Sequence, residues 1–167
     1  MLSLRSAAPD DAPLVYAFIR ELAEYERLAH EVTASQDDIA GALFAPAPRV
    51  FCDIAERDGA PAGFALWFYN FSTFRGRCGI YLEDLYVRPE HRGQGIGKAL
   101  LAHLASRCRS EGLARLDWAV LDWNAPSIAF YESLGARPNA DWITYRLTAA
   151  PLAALADHTR EEPACSS

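Results

Sequence analysis

The chain has 167 residues, of which 51% are hydrophobic, and this is enough apolar sequence for one domain with a buried core. Its 22 acidic and 16 basic side chains give a formal charge of −6 at pH 7, so a nucleic acid is not expected as the main partner. A cationic ligand suits this balance better.

The spacing of cysteine and histidine indicates neither a disulfide framework nor a zinc site. The four cysteines include no Cys-x-x-Cys pair, and the four histidines do not cluster with them. The N-terminus lacks the features of a secretory signal, and no apolar run approaches the roughly 20 residues that span a bilayer. We therefore expect a reduced, cytoplasmic protein without a metal and without a membrane segment.

The first half of the chain predicts one strand, two helices and a meander of three strands. Alternation over residues 2–5 indicates a strand, and an apolar face with helical spacing indicates a helix over residues 12–27. Ser35 and Asp38 have the spacing of a capping box, which predicts a second helix within residues 33–44. Strands are then predicted over residues 50–55, 61–71 and 78–87, with turns between them at residues 57–59 and 75–76.

The second half begins with a glycine-rich turn that opens a long helix. This helix is predicted to end near Gly112, and a short helix is predicted from Pro126 to Gly135. Two further strands are predicted over residues 115–121 and 142–147.

No repeat or low-complexity segment divides the chain. We assign one domain to residues 1–148 and a C-terminal helix or flexible tail to residues 149–167. The order β-α-α-β-β-β-α-β-α-β predicts an α+β fold, in which a mixed central sheet is flanked by helices.

The glycine-rich turn has the composition of a phosphate-binding loop. It follows an apolar strand and leads into a helix, with glycines at 93, 95 and 97. A helix N-terminus carries unpaired N–H groups and a partial positive charge, and glycines let an anion approach the backbone closely. The pattern predicts an anionic ligand that bears phosphate.

Two common phosphate-binding loops do not fit this turn. In a Walker loop, Arg92 would stand where the first glycine belongs and Ala99 where the hydroxyl belongs. A dinucleotide fingerprint that starts at Gly93 would need a glycine at the position of Lys98. Both are therefore excluded.

Two motifs of this chain resemble the signatures of the GNAT acetyltransferase superfamily. Residues 92–97 match the acyl-CoA loop pattern Arg/Gln-x-x-Gly-x-Gly/Ala, and residues 124–136 match the later pattern Asn-x-x-Ser/Ala-x-x-Phe-Tyr-x-x-x-Gly-Phe/Ala. Residues 21–26, 81–84 and 123–127 look like the spermidine/spermine (diamine) N-acetyltransferase branch. The resemblance covers residues 3–148 and implies a GNAT-type acyl-CoA N-acyltransferase fold.

The resemblance also implies acetyl-CoA as cosubstrate and assigns residues to it. Backbone groups of Leu85, Tyr86 and Val87 would bind the pantetheine arm. The diphosphate would be bound by Arg92, Gly93, Gln94, Gly95, Ile96, Gly97 and Lys98. Asn124, Ser127 and Tyr131 would face the cofactor from the second motif.

The resemblance assigns Tyr131 as the general acid beside the CoA sulfur. A base is also needed, because an amine with a pKa near 10.4 is almost fully protonated at pH 7, and Glu83 is the candidate, directly or through water. Strand alternation places Asp84 on the opposite face, where we interpret it as structural or as a hydrogen-bond partner at the end of a loop. Tyr25 and Glu26 would contact the ammonium group through an aromatic face and a charge.

The expected reaction is direct acetyl transfer from acetyl-CoA to a primary amine of a polyamine, thialysine or a similar small molecule. Alternative acceptors are a protein N-terminus or lysine, an amino acid, or an antibiotic. An alternative of another class is a non-catalytic, acyl-CoA-binding regulatory module, although Glu83 and Tyr131 together favour an enzyme. The resemblance further implies a homodimer.

Replacing Tyr131 with phenylalanine tests its assignment as the acid. The variant keeps the ring but loses the hydroxyl that would stabilise charge on the leaving sulfur, so kcat should fall by more than the KM for acetyl-CoA rises. Steady-state thiol release measures both constants. Unchanged turnover would remove Tyr131 from the mechanism.

Overall fold

The computed structural model describes residues 1–157 and divides the chain into two compact units. The first unit, Met1–Ala119, contains five strands and three helices, and the second begins at Val120. The strands of the first unit are β1 (Leu2–Ser6), β2 (Phe51–Arg57), β3 (Ala60–Ser72), β4 (Arg77–Val87) and β5 (Leu116–Trp118). Its helices are α1 (Ala12–Tyr25), α2 (Gln36–Phe44) and α3 (Ile96–Ser110).

The second unit contains helices α4 (Ala125–Ser133) and α5 (Ala149–Asp157). The last ten residues of the tail assigned to 149–167 lie outside the described residues. Within residues 1–157, none of the helices combines the length and apolar character of a membrane-spanning helix.

The five strands of the first unit form one mixed sheet in the order β1-β2-β3-β4-β5. Neighbouring strands are antiparallel except β4 and β5, which are parallel. The predicted α+β architecture with a mixed sheet is confirmed. The predicted hairpin turn is present too, with Asp58 and Gly59 at φ of 53° and 80°, as a two-residue loop between antiparallel strands requires.

Both faces of the sheet are covered by helices. On one face, Phe18 of α1 stacks on Phe64 of β3 with ring centroids 5.3 Å apart, and Leu66 belongs to the same buried cluster. The neighbouring residue Trp67 points to the other face, where α3 packs against β3 and β4. The α3 side chains Ile96, Leu100, Leu101 and Leu104 are buried.

Local capping signals in the sequence are confirmed. The Ser35 hydroxyl accepts from the backbone N–H of Asp38 at 3.2 Å, and the Asp38 carboxylate accepts from the backbone N–H of Ser35 at 2.8 Å. Gly112 and Gly135, which follow α3 and α4, have φ of 66° and 86°.

The strand predicted over residues 142–147 is wrong. Residues 142–148 form neither helix nor strand, and Trp142 and Tyr145 are 70% and 89% exposed. An apolar pattern favours a strand only where a neighbouring strand completes its hydrogen bonds. The strand predicted over 115–121 is shorter for a related reason, because β5 pairs with β4 only along Ile80–Leu82.

Replacing Gly63 with alanine should destabilise the sheet. A Cβ at this position would collide with the backbone oxygen of Tyr86 and lie 3.1 Å from the Cα of Val87, and neither backbone atom can rotate away. The free energy of unfolding in urea should fall by about 1–3 kcal/mol, the usual cost of overpacking.

Gly41 supplies the control. It lies inside α2, and a Cβ added there meets nothing within 4 Å. Gly41→Ala should therefore raise the free energy of unfolding by about 0.5–1 kcal/mol. Equal stabilities of the two variants would contradict the close approach at Gly63.

Candidate active site

The loop before α3 leaves the helix N-terminus uncovered. Gly95 is the N-cap residue, with a left-handed φ of 80°, and no side chain caps the helix. A Cβ added at Gly93 or Gly95 would meet nothing within 4 Å, so the space above the loop is open. These features fit a diphosphate, since unpaired amides and the positive end of the α3 dipole face an open, glycine-lined surface.

Side chains around this loop take different roles. The Gln94 amide donates to the Glu90 carbonyl at 3.1 Å, which fixes the loop internally. Ile96 is buried and packs into the core, while Lys98 is exposed near the start of the helix. Of these three, Lys98 is the side chain that can add charge to an anion.

The edge of β4 that leads to this loop is open. Because β5 pairs with β4 only along Ile80–Leu82, its ladder does not extend to residues 83–87. The Tyr86 side chain is buried, so a contact at this position would use the backbone. This arrangement fits the predicted strand-like pairing of an extended, amide-containing ligand at Leu85–Val87.

Arg92 joins the loop to the end of α1. Its Nε donates to the Val87 carbonyl at 2.9 Å, and its guanidinium lies 4.6 Å from the centre of the Tyr25 ring and 5.6 Å from that of Tyr86. The predicted substrate residue Tyr25 is therefore packed against the predicted cofactor residue Arg92. Such stacking orients the guanidinium while leaving it exposed.

A second contact fixes the end of α1. Two guanidinium nitrogens of Arg88 donate to the Glu21 carboxylate, at 2.8 and 3.1 Å. Glu21 lies one helical turn before Tyr25, so this bidentate pair ties the C-terminal turn of α1 to the residue that follows β4.

A β-bulge in β4 lies at its two consecutive acids. Leu66 pairs with Asp84 but Trp67 pairs with Leu82, so Glu83 is an extra residue in the ladder. Directly paired residues share a face, and Asp84 therefore lies on the α1 face with Leu66. Because the bulge interrupts the period of two, the face of Glu83 does not follow from strand alternation, and the placement of Glu83 and Asp84 on opposite faces stays a prediction.

The environment of Asp84 is unusual for a carboxylate. Burial, together with the negative charges of Glu83 and Glu26, raises the pKa of Asp84 to about 7. Burial also raises the pKa of Glu26, which follows the last residue of α1. Glu83 itself is exposed. The three carboxyl groups form an acidic cluster that one cationic ligand could neutralise.

The sequence alone does not indicate the buried environment of Asp84. The available signal was two consecutive acids inside an otherwise apolar strand, but a bulge and its desolvation depend on how β3 pairs with β4. No pattern within residues 77–87 contains that information.

The remaining predicted residues lie on or beside α4. The Asn124 carboxamide accepts from the backbone N–H of Ser127 at 3.3 Å, which confirms Asn124 as the helix cap. Tyr131 is half-buried, with its ring centroid 5.3 Å from that of Phe130. Their roles toward a cofactor stay predictions.

The described residues contain no group of three or more His, Cys, Asp or Glu that could hold a metal ion. Cys52, Cys78 and Cys108 are free thiols, and Cys165 lies outside the described residues.

Comparison with known proteins identifies relatives over nearly the whole chain. Residues 14–136 match the model of the acetyltransferase (GNAT) family. The chain is 36% identical to a thialysine N-epsilon-acetyltransferase of Bos taurus, over 92% of this chain and 96% of that protein. It is 30% identical to an L-ornithine N5-acetyltransferase of Arabidopsis thaliana, over 91% and 86% of the two chains.

Among solved structures, an integron cassette protein from V. cholerae superimposes with a TM-score of 0.77. The identity is 29%, over 93% of this chain and 97% of that one.

Replacing Asp84 with asparagine should stabilise the protein above pH 7. A carboxyl whose pKa is raised on folding keeps its proton in the folded state between pH 4 and 7, where the unfolded chain has lost it, so stability falls as the pH rises through this range. The shift from 3.8 to about 7 corresponds to a loss on the order of 4 kcal/mol.

Chemical unfolding at pH 4 and pH 8 measures this difference. The free energy of unfolding of the variant should exceed that of the wild type at pH 8, and the difference should disappear near pH 4. Asp141→Asn, at an exposed position, should show no such dependence. A difference in the free energy of unfolding that is the same at both pH values would contradict the raised pKa of Asp84.

Proposed function

Because the chain belongs to the GNAT acetyltransferase family, we propose that it acetylates a terminal primary amine of a small, cationic molecule. The chain is an acetyl-CoA-dependent N-acetyltransferase.

The observation that carries this proposal is the acidic cluster beside the anion-binding loop. Asp84 lies three residues before Val87, about 10 Å along the strand. The backbone carbonyl of Val87 accepts a hydrogen bond from Arg92. On the other side, Arg92 stacks on Tyr25, which directly precedes Glu26. A negative and a positive region therefore adjoin, as expected for a cationic acceptor and an anionic cofactor.

In this proposal the first turn of α3, Arg92 and Lys98 bind the diphosphate, and the backbone of Leu85–Val87 binds the extended arm. Acetyl-CoA, when bound, supplies an acetyl group activated as a thioester. Tyr131 donates a hydrogen bond to the sulfur, and Asn124 holds the start of α4 through its cap.

Proton transfer favours a carboxyl with a raised pKa. Moving a proton from an amine of pKa 10.4 to an ordinary glutamate costs about 8 kcal/mol, whereas moving it to a group of pKa 7 costs about 5 kcal/mol. On this ground Asp84 is the better acceptor for the proton. Glu83 and Glu26 then attract the ammonium group and keep the pKa of Asp84 high.

The acceptor we propose is the side-chain amine of a small basic amino acid or its analogue. Two relatives, each at least 30% identical over most of this chain, are named for such amines, thialysine Nε and ornithine N5. A polyamine is a second candidate, since a spermidine/spermine N(1)-acetyltransferase-like protein of Homo sapiens is 29% identical over 80% of this chain, but only 20% of that protein is covered.

We also propose that the protein is a homodimer. The support is an exposed apolar segment in the second unit, where Trp142, Ile143 and Leu147 are 70%, 77% and 51% exposed. Exposed apolar patches of this kind commonly mark interfaces between subunits.

Thiol release from acetyl-CoA tests the acceptor directly. The panel should contain thialysine, ornithine, lysine, spermidine, a lysine peptide and an aminoglycoside. We expect kcat/KM to be at least tenfold higher for thialysine or ornithine than for the peptide or the antibiotic. Preference for the peptide would overturn the small-molecule proposal.

The pH dependence of kcat/KM separates the two acids. The wild type should gain activity through a pKa near 7, and Asp84→Asn should lose activity about 100-fold or more, as for loss of a general base. Glu83→Gln should keep most turnover but shift the profile to lower pH, since it removes a negative neighbour. The reverse result would make Glu83 the base.

A further inference from the structure

A cavity of about 140 Å³ lies in the first unit, away from the loop before α3. It is formed where β1 ends and β2 begins, and α3 contributes Arg107 to its wall. Arg107 is eleven residues after Ile96, or about 16 Å along the helix axis. The cavity is therefore separate from the phosphate-binding end of α3.

The cavity contains a buried carboxylate. Asp53 is 2% exposed, and its oxygens accept from the Ser6 hydroxyl at 3.0 Å and from the Trp67 indole at 2.9 Å. The nearest basic nitrogen is Nε2 of His103, at 3.7 Å from Oδ1. Two neutral donors leave capacity on a carboxylate that can accept about four hydrogen bonds.

Arg107 brings an unused donor to the same cavity. Its guanidinium lies 5.0 Å from the centre of a Trp67 ring, and Nη1 donates to Glu111 at 3.0 Å. The Nε atom is buried and has no hydrogen-bond partner among the described residues. A buried guanidinium N–H without an acceptor is costly, so the cavity favours an occupant with an oxygen atom.

Tyr69 also lines the cavity, and its hydroxyl donates to Glu111 at 2.7 Å, while much of the remaining wall is apolar. Phe51, Phe44 and Leu43 line it, and burial raises the pKa of the Cys52 thiol, so that this wall residue is neutral. An apolar cavity of about 150 Å³ can hold a molecule as large as benzene. The volume therefore suits a short apolar body in addition to polar groups.

The charges limit what can enter. Asp53 is negative, Arg107 is already neutralised by Glu111, and the cavity is therefore unfavourable for a simple anion. A neutral apolar molecule would leave the Arg107 Nε without a partner and would not use the remaining acceptor capacity of Asp53. An ammonium group beside Asp53 and an oxygen beside Arg107 would satisfy both.

We infer that this cavity binds a small zwitterion, with the ammonium group on Asp53 and a carboxylate oxygen on Arg107 Nε, the chemistry of a free α-amino acid. The site is independent of the acetyl-transfer site, because the two use different residues and opposite ends of α3. A ligand there would be an effector or a second bound molecule, not the acceptor.

Isothermal titration of the full chain without acetyl-CoA tests this inference. The probes are leucine and valine, which lack a side-chain amine, together with isovalerate and isoamylamine, which each carry one of the two groups. We expect both amino acids to bind at least tenfold more tightly than either single-group probe. Equal or weaker binding of the amino acids would overturn the zwitterion site.

Variants locate the binding. Arg107→Gln should lower the affinity for leucine at least tenfold, while Arg109→Gln, at an exposed position on the same helix, should leave that affinity unchanged. If the Arg107→Gln variant does not fold, Ala7→Leu serves in its place, because the larger side chain fills the cavity from the end of β1. This variant should also lower the affinity for leucine. Leucine affinity that survives both changes, or is lost in Asp84→Asn, would place the ligand elsewhere and overturn the inference. Because no turnover is measured, failure of the acetyl-transfer proposal would leave this result unaffected.

Discussion

The pairing of β3 with β4 is the constraint on which the rest of the site depends. The ladder runs from Gly63 opposite Val87 to Ser72 opposite Arg77, and the backbone N–H of Arg88 continues it by donating to Ala62 at 2.9 Å. Its single register shift produces the bulge at Glu83. One end of β4 thus supplies two of the three acids of the acidic cluster and the approach to the loop before α3.

The same strand end also positions α1. Arg88 follows β4 directly and binds Glu21, which fixes the last turn of α1 and with it Tyr25 and Glu26. Arg92, a few residues later, packs on Tyr25. Two arginines therefore connect the end of β4 to α1 in different ways. The charge of Arg88 is neutralised by the Glu21 carboxylate, whereas the guanidinium of Arg92 stays exposed.

This arrangement explains how an acidic protein can use an anionic cofactor. The net charge of −6 attracts amines from a distance, but the local field at the start of α3 is positive because of the helix dipole, Arg92 and Lys98. The acidic cluster lowers stability, since three negative groups lie close together and burial beside them raises the pKa of Asp84. Binding of a cation there would offset that cost.

The local features of this protein follow from the sequence alone. The capping box of α2, the two-residue hairpin at Asp58, the glycine-rich loop before α3 and the Asn124 cap each depend on a few adjacent residues whose conformational preferences agree. The two motifs that resemble the family are of the same kind. For that reason the sheet class, the helices and the glycine-rich loop before α3 could be predicted.

Tertiary structure decided what depends on pairing between distant segments. The bulge at Glu83 arises from the register of β3 against β4, the pKa of Asp84 from burial beside α1, and the Arg92–Tyr25 contact from the docking of α1 on the sheet. The same reason accounts for the error at residues 142–147, whose apolar pattern suits a strand but which no described strand pairs. Sequence determines the conformations that a segment prefers, and the partner segments determine which of them forms.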